Sequence, residues 1–177
     1  RRRQKATYLG PAYDDTAIAA YLDSIEAPYE TFGDDALCGR VAELLAIENV
    51  VGWFQGRMEF GPRALGARSI LGDARSRAMQ SVLNLKIKFR ESFRPFAPAV
   101  LEERVGDYFE LNTESPYMLL VADVAKRHLA PLDDEASRAT GFEKLKVARS
   151  GVPAITHVDN SARIQTVREE DHPRFYK

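Results

Sequence analysis

The chain has 177 residues, 45% of them hydrophobic and 10% aromatic, enough for one sizeable core, and its 25 basic and 26 acidic residues leave a net charge of −1, which excludes a globally basic protein and a wholly disordered polyelectrolyte. A single cysteine, Cys38, and three scattered histidines exclude an internal disulfide and a thiolate zinc cluster, and a lone thiol fits a reducing, cytoplasmic compartment. No apolar run approaches the roughly 20 residues that cross a bilayer, and the basic opening Arg1-Arg2-Arg3-Gln4-Lys5 is not followed by an apolar signal core, so no membrane partner is expected.

Helical spacing of Ile18, Tyr21, Leu22 and Ile25 behind Asp15 and Thr16 predicts a surface helix over 16–27. A second helix is expected over 37–48, then a strand over Val50-Val51-Gly52-Trp53-Phe54 and another at 68–71. Asp73 is the expected cap of a helix running through Met79, Val82, Leu83 and Ile87. Arg94-Pro95-Phe96-Ala97-Pro98 must be a shaped loop, because proline lacks the amide donor and restricts the residue before it.

A short helix follows at 102–109 and a strand at 117–124. Strands at 153–158 and 163–167, joined by Asp159-Asn160-Ser161-Ala162, are expected to form a hairpin. Residues 126–150 are charged and weakly periodic, which predicts a mobile excursion with at most a helical turn at 143–148. The chain closes on Asp171-His172-Pro173, the opening of a helix. The order of elements predicts one α/β domain over 1–177. The start without methionine and the end on a helix opening predict a truncated piece of a larger enzyme.

The charge is unevenly distributed. No cation lies between Lys5 and Arg40, whereas 57–94 carries nine cations against Glu59, Asp73 and Glu91, a segment of +6. Focused positive charge of this kind points to an anionic ligand.

Three blocks give that charge a form. In Gly56-Arg57-Met58-Glu59-Phe60-Gly61-Pro62-Arg63-Ala64-Leu65-Gly66-Ala67-Arg68, glycines and a proline permit a tight path while Arg57, Arg63 and Arg68 offer planar forks for phosphate or carboxylate oxygens, with Glu59 placed to orient one of them. In the block from Asn84 to Pro98, Lys88 and Arg94 suit different oxygens of a phosphoryl group, while Lys86 and Arg90 read as ordinary helix-end cations. In His157-Val158-Asp159-Asn160-Ser161-Ala162-Arg163, Arg163 is the stronger anion-ligand candidate, whereas His157, a candidate base or ligand group, is as a lone strand histidine more often a hydrogen-bonded structural residue. No residue is assigned to a metal, and the chain contains no Walker-type loop, dinucleotide fingerprint or nucleophile elbow.

These three blocks, in this order, resemble the carboxy-terminal region of the NodU/CmcH family of O-carbamoyltransferases. The resemblance implies a YrdC-like twisted mixed sheet flanked by helices, which takes carbamoyl phosphate and ATP and forms carbamoyl-adenylate for an amino-terminal transfer domain of the same protein. It implies Lys88 and Arg94 as catalytic groups and Arg63 and Arg163 at the phosphate or adenylate site, with Arg57, Arg68, Asn84, His157 and Thr166 in a second rank. It implies magnesium with the ATP and an iron site in the amino-terminal domain. An isolated piece is expected not to carbamoylate an alcohol. The competing reading is a non-catalytic phosphate- or RNA-binding module using the +6 segment with Phe89, Phe93 and Phe96 for stacking.

Overall fold

The computed structural model describes residues 6–177, so the basic opening at 1–5 lies outside the described residues. Two helices come first, α1 (Asp15–Ser24) and α2 (Asp34–Ala46), followed by strands β1 (Val51–Phe54) and β2 (Arg68–Leu71). Helix α3 (Met79–Val82) continues as a π turn over Leu83–Ile87 and leads to β3 (Ala99–Leu101) and a 3-10 turn into α4 (Val105–Tyr108). Strand β4 (Leu120–Asp123), α5 (Asp134–Arg138), a 3-10 segment at Gly141–Lys146, β5 (Ser161–Val167) and α6 (Pro173–Tyr176) complete the order. Among the described residues no helix is long and apolar enough to cross a membrane.

The mixed α/β class holds, with the strands divided between two small open sheets. Strands β1 and β2 are antiparallel, with Val51 opposite Leu71 and Phe54 opposite Arg68, so that the whole connection at 55–67 is presented at one end of a two-stranded ribbon. In the second sheet β5 is central, parallel to β3 and antiparallel to β4. Ile164 on β5 is completely buried and packs with Val105, Phe109, Val124, Ile155 and Ala162. Met79, Leu83 and Ala154 form a second cluster, and Phe96 packs against both. Burial of a side chain such as Leu83 contributes about 1.5–3 kcal/mol relative to exposure, which anchors the π turn that carries the second cationic block.

Several expectations need correction. Residues 153–158 do not pair with 163–167: both edges of β5 are already taken by β3 and β4, and the segment closes on itself, with Ile155 N–H donating to the Val152 carbonyl at 3.3 Å and the Thr156 hydroxyl to the same carbonyl at 2.9 Å. Asp73 does not cap α3. Its carboxylate is gripped by the Arg75 guanidinium, with Nη2 to Oδ2 at 2.6 Å, and Ser76 Oγ instead accepts the Met79 N–H at 3.2 Å. The α1 cap is Asp14, one residue before the expected pair, accepting from the Ala17 N–H at 2.8 Å. Strand β3 has no local sequence signal, because three residues directly after Pro98 show no alternation and their pairing is with a strand some sixty positions away.

Candidate functional site

The connection at 55–67 is held from within by a buried carboxylate. Glu59 Oε1 accepts the N–H groups of Leu65 at 2.6 Å, Ala67 at 2.7 Å and Arg68 at 3.2 Å. Burial pushes this carboxyl up, but the backbone donors, led by Ala67 and Leu65, outweigh it and hold Glu59 below its usual range. The carbonyls of the same turn face side chains from three other parts of the chain: Leu65 O accepts from Tyr8 Oη at 2.7 Å and Gln165 Nε2 at 2.8 Å, and Gly66 O accepts from Trp53 Nε1 at 2.9 Å. Gly66 has φ +105°, and the Phe175 ring lies where a β-carbon would project. Glu59 therefore shapes the backbone under Arg63; among the described residues it meets an arginine only through the main-chain N–H of Arg68.

The three arginines of this block separate by partner. Arg57 donates to the Gly10 carbonyl at 3.0 Å. Arg68 is spent on the protein itself, donating to the carbonyls of Gln55 at 2.9 Å and Gly56 at 3.1 Å, with its guanidinium 3.5 Å above the Phe54 ring. Arg63 is different: its Nε is buried without a hydrogen-bond partner. Among the described residues neither Arg63 nor Arg163 has an acidic partner. Burial, and then the positive charge of Arg63, hold the Arg163 guanidinium below its ordinary value. By contrast Arg168 is surrounded by carboxylates, among them Asp171, Glu170 at 3.4 Å and Glu114 at 3.5 Å.

The second block is shaped by Asn84, which is 0% exposed. Its amide donates to the carbonyls of Ser92 at 3.1 Å and Arg94 at 2.8 Å, and its Oδ1 accepts from Arg90 Nε at 2.6 Å. Asn84 thus positions the cationic loop rather than facing a ligand. Arg94 is exposed and lies 3.0 Å from Glu91 through Nε. Arg90, Arg94, His157, Ser161 and Arg163 line one cavity of about 430 Å³. Lys88 is exposed at the end of the π turn and is not among the residues lining that cavity.

His157 Nδ1 is 3.5 Å from Asp159 Oδ1, and Asp159 is held below its usual range first by the Ser161 hydroxyl, which donates to it at 2.7 Å. Thr166 is 2% exposed, with Oγ1 accepting the Ser115 N–H at 2.8 Å, a sheet-to-loop tie within the core. Arg90, read from sequence as a helix-end cation, joins the cavity because the chain turns at Phe89, whose φ is +48°; its spacing of four from Arg94 was the available signal. Among the described residues no three His, Cys, Asp or Glu side chains converge on a metal position.

The family described as the carbamoyltransferase C-terminus matches residues 42–177, a span that contains all three blocks. The chain belongs to that family. This carbamoyltransferase C-terminal domain is 61% identical over 173 residues to the uncharacterized protein sll1178 of Synechocystis sp., covering 97% of this chain and 28% of that protein. It is 37% identical over 183 residues to the nodulation protein NolNO of Sinorhizobium fredii, covering 100% of this chain and 24% of that protein. Against the 3'-hydroxymethylcephem-O-carbamoyltransferase of Streptomyces clavuligerus it is 39% identical over 137 residues, 77% of this chain and 22% of that enzyme. The domain therefore spans between 22% and 28% of the length of these relatives and aligns with part of each.

Proposed function

We propose that this domain binds carbamoyl phosphate and ATP and forms carbamoyl-adenylate, which an amino-terminal domain of the same protein transfers to an acceptor hydroxyl. The observation that carries the reading is the Arg63 and Arg163 pair. Arg63 Nε is buried with no hydrogen-bond partner, its charge bears on the Arg163 guanidinium from a block a hundred positions away, and neither has an acidic partner among the described residues, an arrangement that is costly without an anion and favourable with one.

In the reaction, carbamoyl phosphate loses inorganic phosphate to water and leaves carbamate. A carbamate oxygen then attacks the α-phosphorus of ATP; the new O–P bond forms as the bond to the β-phosphate bridging oxygen breaks, and pyrophosphate departs. Arg63 and Arg163 hold phosphoryl oxygens, while Lys88 and Arg94 neutralise charge developing on the leaving group, a task for fixed cations rather than a proton donor. Magnesium is expected to arrive on the nucleotide phosphates.

The test is calorimetric titration of carbamoyl phosphate and ATP into the wild-type chain and into Arg63→Ala, Arg163→Ala and Lys88→Ala. Loss of a charge-assisted contact to phosphate corresponds to an affinity decrease of about ten- to a hundredfold. Undiminished binding of both ligands in all three variants overturns the assignment.

A further inference from the structure

A second cavity, of about 440 Å³, adjoins the cationic one and shares Arg94, Pro95 and His157 with it. Its character is different. Its lining includes Phe93, Phe142, Leu145, Val147 and Pro153, and two further cations, Lys144 and Arg149, lie on it. Phe142 comes from the 3-10 segment at Gly141–Lys146, within the stretch that reads from sequence as a charged excursion. Its ring centroid is 6.3 Å from that of Phe93, with the planes inclined by 53°, so the two rings are not stacked on one another. Phe142 is 78% exposed and Phe93 44%, leaving aromatic faces uncovered beside an apolar hollow. Arg149 adds an independent observation: its Nε is buried with no hydrogen-bond partner, although its Nη2 donates to the Lys144 carbonyl at 3.3 Å.

An apolar, aromatic hollow that meets a cationic hollow at a shared arginine and histidine has the two-part chemistry of a nucleotide: a flat π-surface joined to a chain of phosphates. We propose that the Phe93–Phe142 cavity is the base subsite of the nucleotide, with Phe142 stacking on a purine ring, Arg149 donating to an acceptor on the nucleoside, and the phosphates running past Arg94 toward Arg163. This rests on the ATP reading above and assigns Phe142 as a residue that selects the nucleoside. A purine is the class favoured because its larger π-face covers more of the exposed ring, and an unpartnered N–H matches a ring nitrogen or a ribose hydroxyl.

The test titrates ATP, UTP and inorganic tripolyphosphate into the wild-type chain, Phe142→Ala, Phe142→Trp and Arg163→Ala. Removing a base-stacking aromatic is expected to weaken ATP binding about tenfold, to leave tripolyphosphate binding unchanged, and to erase the preference for ATP over UTP; Phe142→Trp is expected to retain wild-type affinity. Arg163→Ala is expected to weaken all three ligands. Equal ATP affinity in wild type and Phe142→Ala, or parallel losses for ATP and tripolyphosphate, overturns the base subsite while leaving the phosphate assignment standing. A wild-type chain that binds carbamoyl phosphate but none of the three probes overturns the ATP reading and the subsite with it.

Discussion

Replacing Glu59 by alanine removes the acceptor shared by the N–H groups of Leu65, Ala67 and Arg68. The Leu65 and Ala67 donors lie in buried residues at 6% and 0% exposure, and a buried donor left unpaired costs about 1–3 kcal/mol, so the two together give a loss of roughly 2–6 kcal/mol. The Arg68 amide adds less, since its residue is only partly buried. With a urea slope of about 1–3 kcal/mol per molar, the unfolding midpoint should fall by about 1 M or more at unchanged slope. Glu59→Gln keeps an oxygen in the same place and loses only the charge assistance, so it should cost about half as much or less. The carboxyl also leaves a pH signature. Its folded pKa lies below its ordinary value of 4.5, so its stabilisation is present above about that pH and is lost as the pH falls through the lower folded value; Glu59→Gln should lack that acid limb. Chemical denaturation of both variants between pH 3 and 7 measures all of this. An alanine variant within about 1 kcal/mol of wild type at neutral pH refutes the idea that Glu59 organises the turn under Arg63.

His172 is buried against Gln55, whose Nε2 donates to its Nδ1 at 2.8 Å, and burial lowers its pKa from 6.5. The unfolded chain therefore binds the proton more readily, so stability should decline as the pH drops below about 6.5 and level off once the folded ring titrates; a His172→Asn variant should lack this slope in thermal melts. Gly66→Ala places a methyl 2.4 Å from the Phe175 ring at φ +105° and should lower stability by about 2–4 kcal/mol, read from the denaturation midpoint. A Gly66→Ala variant as stable as wild type removes the steric basis for that position.

Local chemistry was legible where one residue type dictates one conformation. The Pro95 to Pro98 stretch is a loop because proline constrains its own neighbours, and strand β2 falls on the expected 68–71 because β1, just across the connection at 55–67, offers it an edge. The 153–158 strand failed for a non-local reason: whether an apolar run becomes a strand depends on a free sheet edge, and β3 and β4 had taken both edges of β5. For the candidate site, the sequence offers residue types and charge but not partners. Arg63, Arg94 and Arg163 were read as anion ligands from order and charge, but the carbonyls that occupy Arg68 and Arg57, and the core tie that occupies Thr166, depend on chain crossings that no spacing encodes. Asn84 was read as a ligand group for the same reason; its partners, the Ser92 and Arg94 carbonyls, become neighbours only after the loop folds back.

The parallel pairing of β3 with β5 has a kinetic consequence. The intervening chain at 102–160 must be closed before that ladder exists, at an entropic cost of roughly 3–4 kcal/mol, and such distant pairings form slowly. Arg163 rides on the returning strand, so the cationic hollow is assembled late. During synthesis on the ribosome, the nascent polypeptide cannot complete the proposed anion site until β5 has emerged and docked, long after the loop bearing Arg63 has left the exit tunnel.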